Sequence, residues 1–164
     1  MFLKRKIIRS IYNEIEGFFK YSLTEEEVIN QELRDKKVKA KEVPFNSYNC
    51  KKGGSLQYAM AMIYRLRQND IKSFLGIYKG EGIYSEDSKY DYAFVIYREA
   101  FFRWYIAEFK MQEPKDNIQD PARIEIAKFR KLKGKLWVYN PYDEHLGNLP
   151  IFGGFFDKPK IIIK

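Results

Sequence analysis

Two glycines and a serine, Gly53-Gly54-Ser55, open the segment of this 164-residue chain with the clearest chemical potential. Beyond them Leu56, Ala59, Met60, Ile63 and Leu66 recur at three- and four-residue spacing, which predicts a helix over about 55–69 with one apolar face. A side chain at the first position of a helix meets free backbone amides and the positive end of the helix dipole, a setting that suits a nucleophile and the oxyanion it forms. Ser55 occupies that position. A hydroxyl attacks only when a base removes its proton, so the chemistry depends on a partner; without one, Ser55 is read as a helix cap accepting an amide hydrogen bond.

The strand-like run Tyr92-Ala93-Phe94-Val95-Ile96-Tyr97 and the run Lys135-Leu136-Trp137-Val138-Tyr139-Asn140-Pro141 offer the partners. The Gly54–Tyr78 segment, through Ser55, Tyr58, Ala59, Arg67, Asp70 and Ile71, resembles the nucleophile helix of the transglutaminase-like superfamily, written C-x-[DE]-[FY]-A-x7-R-x-x-G-I. Ser55 falls on the cysteine and Asp70 on the glycine. The family's base strand, H-A-[WF]-V-x-[VI]-[YF], is similar to 92–97, with Tyr92 on the histidine, and its G-x-W-x-x-[DN]-P element is similar to 135–141, with Asn140 as the residue that orients the base. Glu108 is the other third member, by its spacing from Tyr92. Asp91 adjoins Tyr92, but strand alternation sends its side chain to the opposite face. Choosing Asn140 requires the residues between Arg98 and Gly134 to form an inserted β-hairpin.

The resemblance covers about 90 residues and implies a papain-related α+β fold whose members include peptidases, amidases and cross-linking acyltransferases. It also implies an inactive site. A tyrosine with a pKa of about 10 does not serve as a base near neutrality, and losing either nucleophile or base costs several powers of ten in rate. The expected function is therefore binding of a polypeptide or other ligand in the former substrate cleft. The alternative is a cysteine peptidase or acyltransferase built on the lone Cys50, flanked by Lys51 and Lys52, with the lone His145 as base and Asn140 or Asp143 as orienter. That pairing would put two glycines in the first turn of the helix. His145 otherwise reads as a surface turn.

The elements that must position these residues follow from periodicity. Ile7, Ile8, Ile11, Ile15, Phe18 and Phe19 predict an amphipathic helix over 2–19, and Thr24 followed by Glu25, Glu26 and Glu27 predicts a capped second helix fading near Lys36. Pro44, Asn46, Ser47 and Asn49 mark 37–54 as a loop. After the central helix, 73–78, 91–97, 101–109, 123–129, 135–139 and 160–163 are rich in β-branched and aromatic residues and read as strands. A tight hairpin is expected at 98–100, a polar loop at 80–89 and a turn at Gly153-Gly154. Helices first and an antiparallel sheet second make this one α+β domain over 1–164: N-terminal helices to 36, a central helix, then mainly β from 73.

Composition sets the outer limits. Apolar residues make up 45% and aromatics 17%, enough for a single sizeable core. One cysteine excludes an internal disulfide, and one histidine beside it excludes an all-protein zinc site of Cys and His, so no metal or cofactor is expected. No P-loop, dinucleotide fingerprint or H-E-x-x-H helix is present. Thirty Lys and Arg against 22 Asp and Glu give +8, but the charges are scattered, which reads as solvated surface and disfavours nucleic acid, while the former substrate cleft points to a polypeptide or protein partner. A basic nucleic-acid adaptor is the third class, and it predicts strongly salt-dependent binding. No apolar run reaches the roughly 20 residues of a membrane span, and the early charges of the N-terminus do not fit a secretory leader, so a cytoplasmic protein is expected.

Overall fold

The computed structural model describes residues 2–80, 92–100, 103–107, 124–125 and 134–143. Its element order is α1 (Phe2–Phe18), β1 (Lys20–Tyr21), α2 (Leu23–Asp35), a 3-10 turn (Ala40–Glu42), α3 (Val43–Cys50), β2 (Lys52–Gly53), α4 (Ser55–Gln68), β3 (Ser73–Gly80), β4 (Tyr92–Ala100), β5 (Arg103–Ala107), β6 (Ile124–Glu125) and β7 (Gly134–Tyr139). The α+β class read from the sequence holds. Strands β6-β5-β4-β3-β7 form one antiparallel sheet in that order, and β1 pairs with β2 in a separate parallel ribbon.

Helix α4 is the hub. Its apolar stripe, Leu56, Ala59, Met60, Ile63 and Leu66, is fully buried, and so are Tyr58 and Met62 on its flanks. A helix buried on so many sides must be enclosed by several elements. Helix α1 supplies Ile8, Ile11 and Ile15 to the same core, and the sheet supplies Leu75, Ile77, Ala93, Val95 and Tyr97 from β3 and β4. These strand residues alternate, as one face of a sheet requires. Residues of the other parity, including Phe94, Ile96 and Val138, are equally buried, so the central strands are covered on both faces.

Several elements depart from the sequence reading. The second helix is capped by Ser22, whose hydroxyl accepts from the Glu25 amide at 3.2 Å; Thr24 lies inside the helix. The cap is therefore Ser22, two residues earlier than expected, while its own amide donates to the Gly53 carbonyl. The segment 37–54 is not a loop: it holds the 3-10 turn and α3, which Pro44 opens in the first turn, where its missing amide costs nothing. The tight turn at 98–100 is also corrected. Strand β4 continues to Ala100, and the register against β5 slips by one residue between Arg98 and Ala100. That bulge leaves Glu99 buried, where its carboxylate is held by Arg5 of α1. An unpaired buried carboxylate would be costly, so this pair fixes α1 to the sheet.

The expected hairpin between Arg98 and Gly134 is visible as β5 paired antiparallel with β6 on the far side of β4. The strand expected at 160–163, the polar loop past Gly80 and the glycine turn at 153–154 lie outside the described residues.

Candidate functional site

Gly53 has φ of +137°, a conformation open to glycine, and the chain then enters α4 through Gly54. Four interactions close this entrance. The Gln57 side chain reaches back and accepts from the Gly54 amide at 2.9 Å, and its Nε2 donates to Asn30 Oδ1 of α2 at 2.6 Å. A methyl group on Gly54 would overlap the Glu26 carboxylate, so that carboxylate lies directly against the helix start. Ser55 itself is 6% exposed, and its Oγ accepts from the Ala93 amide at 3.2 Å.

These contacts define what the helix start can do. The Ser55 hydroxyl supplies an acceptor for the Ala93 amide and so fastens α4 to β4. The Glu26 carboxylate sits by the positive pole of α4, where an oxyanion would need to form. One negative charge there opposes a second. The arrangement therefore satisfies the helix terminus and is poorly suited to acyl chemistry.

The structure brings Ser55 to β4, as the resemblance implies, but the residue its hydroxyl meets is Ala93. Tyr92 is placed by its backbone as the register partner of Tyr78. Asn140 is not beside either. It follows β7, which pairs with β3 rather than β4; continuing the register puts it level with Phe74 and Ile96, four residues along from Tyr92 and two strands across. At about 3.3 Å per residue and 4.8 Å per strand that is well beyond hydrogen-bond reach. Asn140 Oδ1 instead accepts from Arg67 Nη2 at 3.0 Å and from the Tyr142 amide at 3.1 Å, the latter closing an Asx turn over Pro141. Its role is to form the turn after β7. Glu108, Asp91 and His145 lie outside the described residues.

Cys50 is the last residue of α3, half-buried, and Lys51 after it turns the chain with φ of +61°. That end of a helix presents carbonyls rather than amides. The central helix begins at Ser55, so Cys50 does not stand in its first turn, where the alternative enzyme would place it. Among the described residues no group of three or more His, Cys, Asp or Glu side chains is arranged to hold a metal ion. No helix among them is long and apolar enough to cross a membrane.

A second site lies at the opposite end of α4, about 18 Å from Ser55 at 1.5 Å per residue. An open cavity of about 620 Å³ is lined there by Tyr64, Arg67, Asp70, Ile71, Lys72 and Tyr142, among others. Arg67 is its organising residue. It donates through Nη2 to the Ser73 carbonyl at 2.6 Å and to Asn140, and through Nε to the same carbonyl at 3.2 Å. The guanidinium carbon lies 5.5 Å from the Phe74 ring centre and 5.4 Å from that of Tyr142. Burial lowers the Arg67 pKa from its ordinary value, with the charge near Tyr142 acting the other way; burial raises the Tyr142 phenol, with Arg67 opposing. Asp70, with φ of +55°, turns the chain from α4 into β3. Asp tolerates this left-handed region better than most residues.

Sequence reasoning singled out Arg67 and Asn140 separately and did not join them. The signals were the place of Arg67 in the family-like pattern of the central helix and the Asn140-Pro141 pair after the last described strand. Aromatic contacts extend the site: Phe45 of α3, half exposed, packs edge-on to Tyr64 at 5.4 Å, and Tyr48 packs on Tyr64 at 5.2 Å. Hydrogen bonding to Glu14 raises the Tyr48 phenol, with burial adding to it, while the deeply buried Tyr58 phenol is pushed well above its usual value, first by burial and then by Glu16. Comparison of the chain with protein-family models, with curated proteins and with solved structures found no match.

Proposed function

We propose that this chain is a catalytically silent domain of the transglutaminase-like, papain-related group, and that it works by binding a polypeptide. The observation that carries this reading is the use of the Ser55 hydroxyl. It is buried and accepts the Ala93 amide, with the Glu26 carboxylate covering the adjacent helix start. A residue held in that way serves the packing of helix on strand.

The resemblance gains support from two local facts. Helix α4 begins at Ser55 and includes Tyr58, Ala59 and Arg67 in the register of the family pattern. Asp70, on the pattern's glycine, has the positive φ that explains why glycine suits the position. In this proposal the binding surface is placed at the other end of α4 from the former substrate cleft. The entrance to α4 is filled, and the described cavity is at the C-terminal end of the same helix. Ligand binding is accordingly assigned to the Arg67 end.

The test is covalent. A fluorophosphonate probe incubated with the folded protein should leave Ser55 unmodified when peptides are mapped by mass spectrometry, and iodoacetamide should label Cys50 no faster than in the unfolded chain. A stoichiometric adduct on Ser55, or accelerated alkylation of Cys50, would show an activated nucleophile and overturn the silent reading.

A further inference from the structure

We infer that the groove at the C-terminal end of α4 recognises a carboxylate on an acidic polypeptide segment, seated on Arg67 and Lys72. This deepens the binding reading above and rests on it. Arg67 has five N–H donors. Its Nε and Nη2 are engaged by Ser73 and Asn140, whereas neither Nη1 proton has a partner among the described residues. No carboxylate lies within ion-pair distance of Arg67 or Lys72 among those residues. Among the described residues the half-buried Arg67 cation has no ion-pair partner, which leaves it able to take an anion.

The surroundings select the kind of anion. Phe74 and Tyr142 lie against the guanidinium and, with its hydrogen bonds, fix its orientation, leaving the two Nη1 protons for an acceptor oxygen. Lys72 is exposed on the rim, its ammonium 5.8 Å from the Phe74 ring centre, and adds a second positive charge. Asp70 lines the same groove and is the only carboxylate among its described lining residues. A carboxylate and a nucleic-acid phosphodiester are each monoanionic, so Asp70 does not separate them; the scattering of Lys and Arg along the chain, which gives no continuous basic track for a phosphate backbone, favours an acidic peptide over nucleic acid. The rings of Tyr64 and Phe45 give apolar side chains of the same segment a place to pack. The cavity falls within the roughly 300–1,000 Å³ typical of ligand sites.

The experiment uses the full chain and three probes: a fluorescein-labelled hexapeptide of alternating glutamate and phenylalanine, its glutamine counterpart, and hexathymidylate. The glutamate peptide should bind saturably, with the glutamine peptide at least about tenfold weaker. Lys72→Glu, on an exposed side chain, should weaken the glutamate peptide by about tenfold or more. The Arg67 Nε–Hε resonance should shift on titration. Equal binding of the two peptides, tighter binding of hexathymidylate, insensitivity to Lys72→Glu, shifts that avoid Arg67, or no saturation by about 1 mM would each overturn the assignment. The two readings fail separately. A fluorophosphonate adduct on Ser55 with peptide binding intact removes only the silent reading, and a silent Ser55 with no peptide binding removes only this one.

Discussion

Arg67→Ala is expected to lower the unfolding free energy by about 2–4 kcal/mol, from lost charge-assisted hydrogen bonds and ring contacts. The loss is large because one side chain joins three elements. Arg67 leaves α4, bonds the carbonyl of Ser73 where β3 begins, and holds Asn140 where β7 ends. Removing it leaves the Ser73 carbonyl and the Asn140 side chain with fewer partners and takes the cation from between Phe74 and Tyr142. Arg67→Lys should recover less than half of the loss, since an ammonium cannot reproduce the planar fork. Urea unfolding of the three proteins checks this; a change below about 0.5 kcal/mol for Arg67→Ala, the usual range for surface substitutions, would mean that the observed bonds do not hold the groove.

Gly76→Val should be at least as damaging, with a loss of about 3 kcal/mol or more, the upper range for overpacking a core. Gly76 pairs with Phe94 across β3 and β4, and the Phe94 ring lies over the glycine where a methyl group would overlap it. Phe94 is fully buried and cannot swing into solvent. A smaller pair of changes tests the cause. Gly76→Ala combined with Phe94→Leu should cost less than the sum of the two single changes, because the shortened side chain frees the space that the alanine methyl takes. Strict additivity in denaturant unfolding would place the damage elsewhere.

The parts legible in the sequence were those with strong local periodicity. Helix α4 was clear because its apolar stripe runs unbroken to Leu66 and two glycines precede it. Helix α3 was hidden because Pro44, Asn46, Ser47 and Asn49 signal a turn; its burial of Val43 and Ser47, together with its packing beside α4, overrides that local preference. The cap at Ser22 was missed because the acidic run after Thr24 offers an equally good box by composition, and only the backbone of Ser22 is extended as a cap requires.

The site was legible in pieces. Ser55 at the helix start and β4 beside it follow from the family-like pattern, and the hydrogen bond to Ala93 connects them. The function of Asn140 was obscured because a motif gives spacing along the chain and not strand order. Here β7 adds beside β3, which carries Asn140 away from β4 and toward Arg67, 73 residues earlier in the chain. The groove depends on that long-range meeting, and no local pattern encodes it.

The central claim is that Ser55 is a structural fastening, and the stability of Ser55→Ala tests it most directly. Removing the hydroxyl leaves the Ala93 amide without its acceptor in a buried setting, so urea unfolding should show a loss of about 1–3 kcal/mol, the cost of an unsatisfied buried donor. Stability that is unchanged or increased would contradict the account, since that is the behaviour of a residue retained for chemistry at the expense of packing.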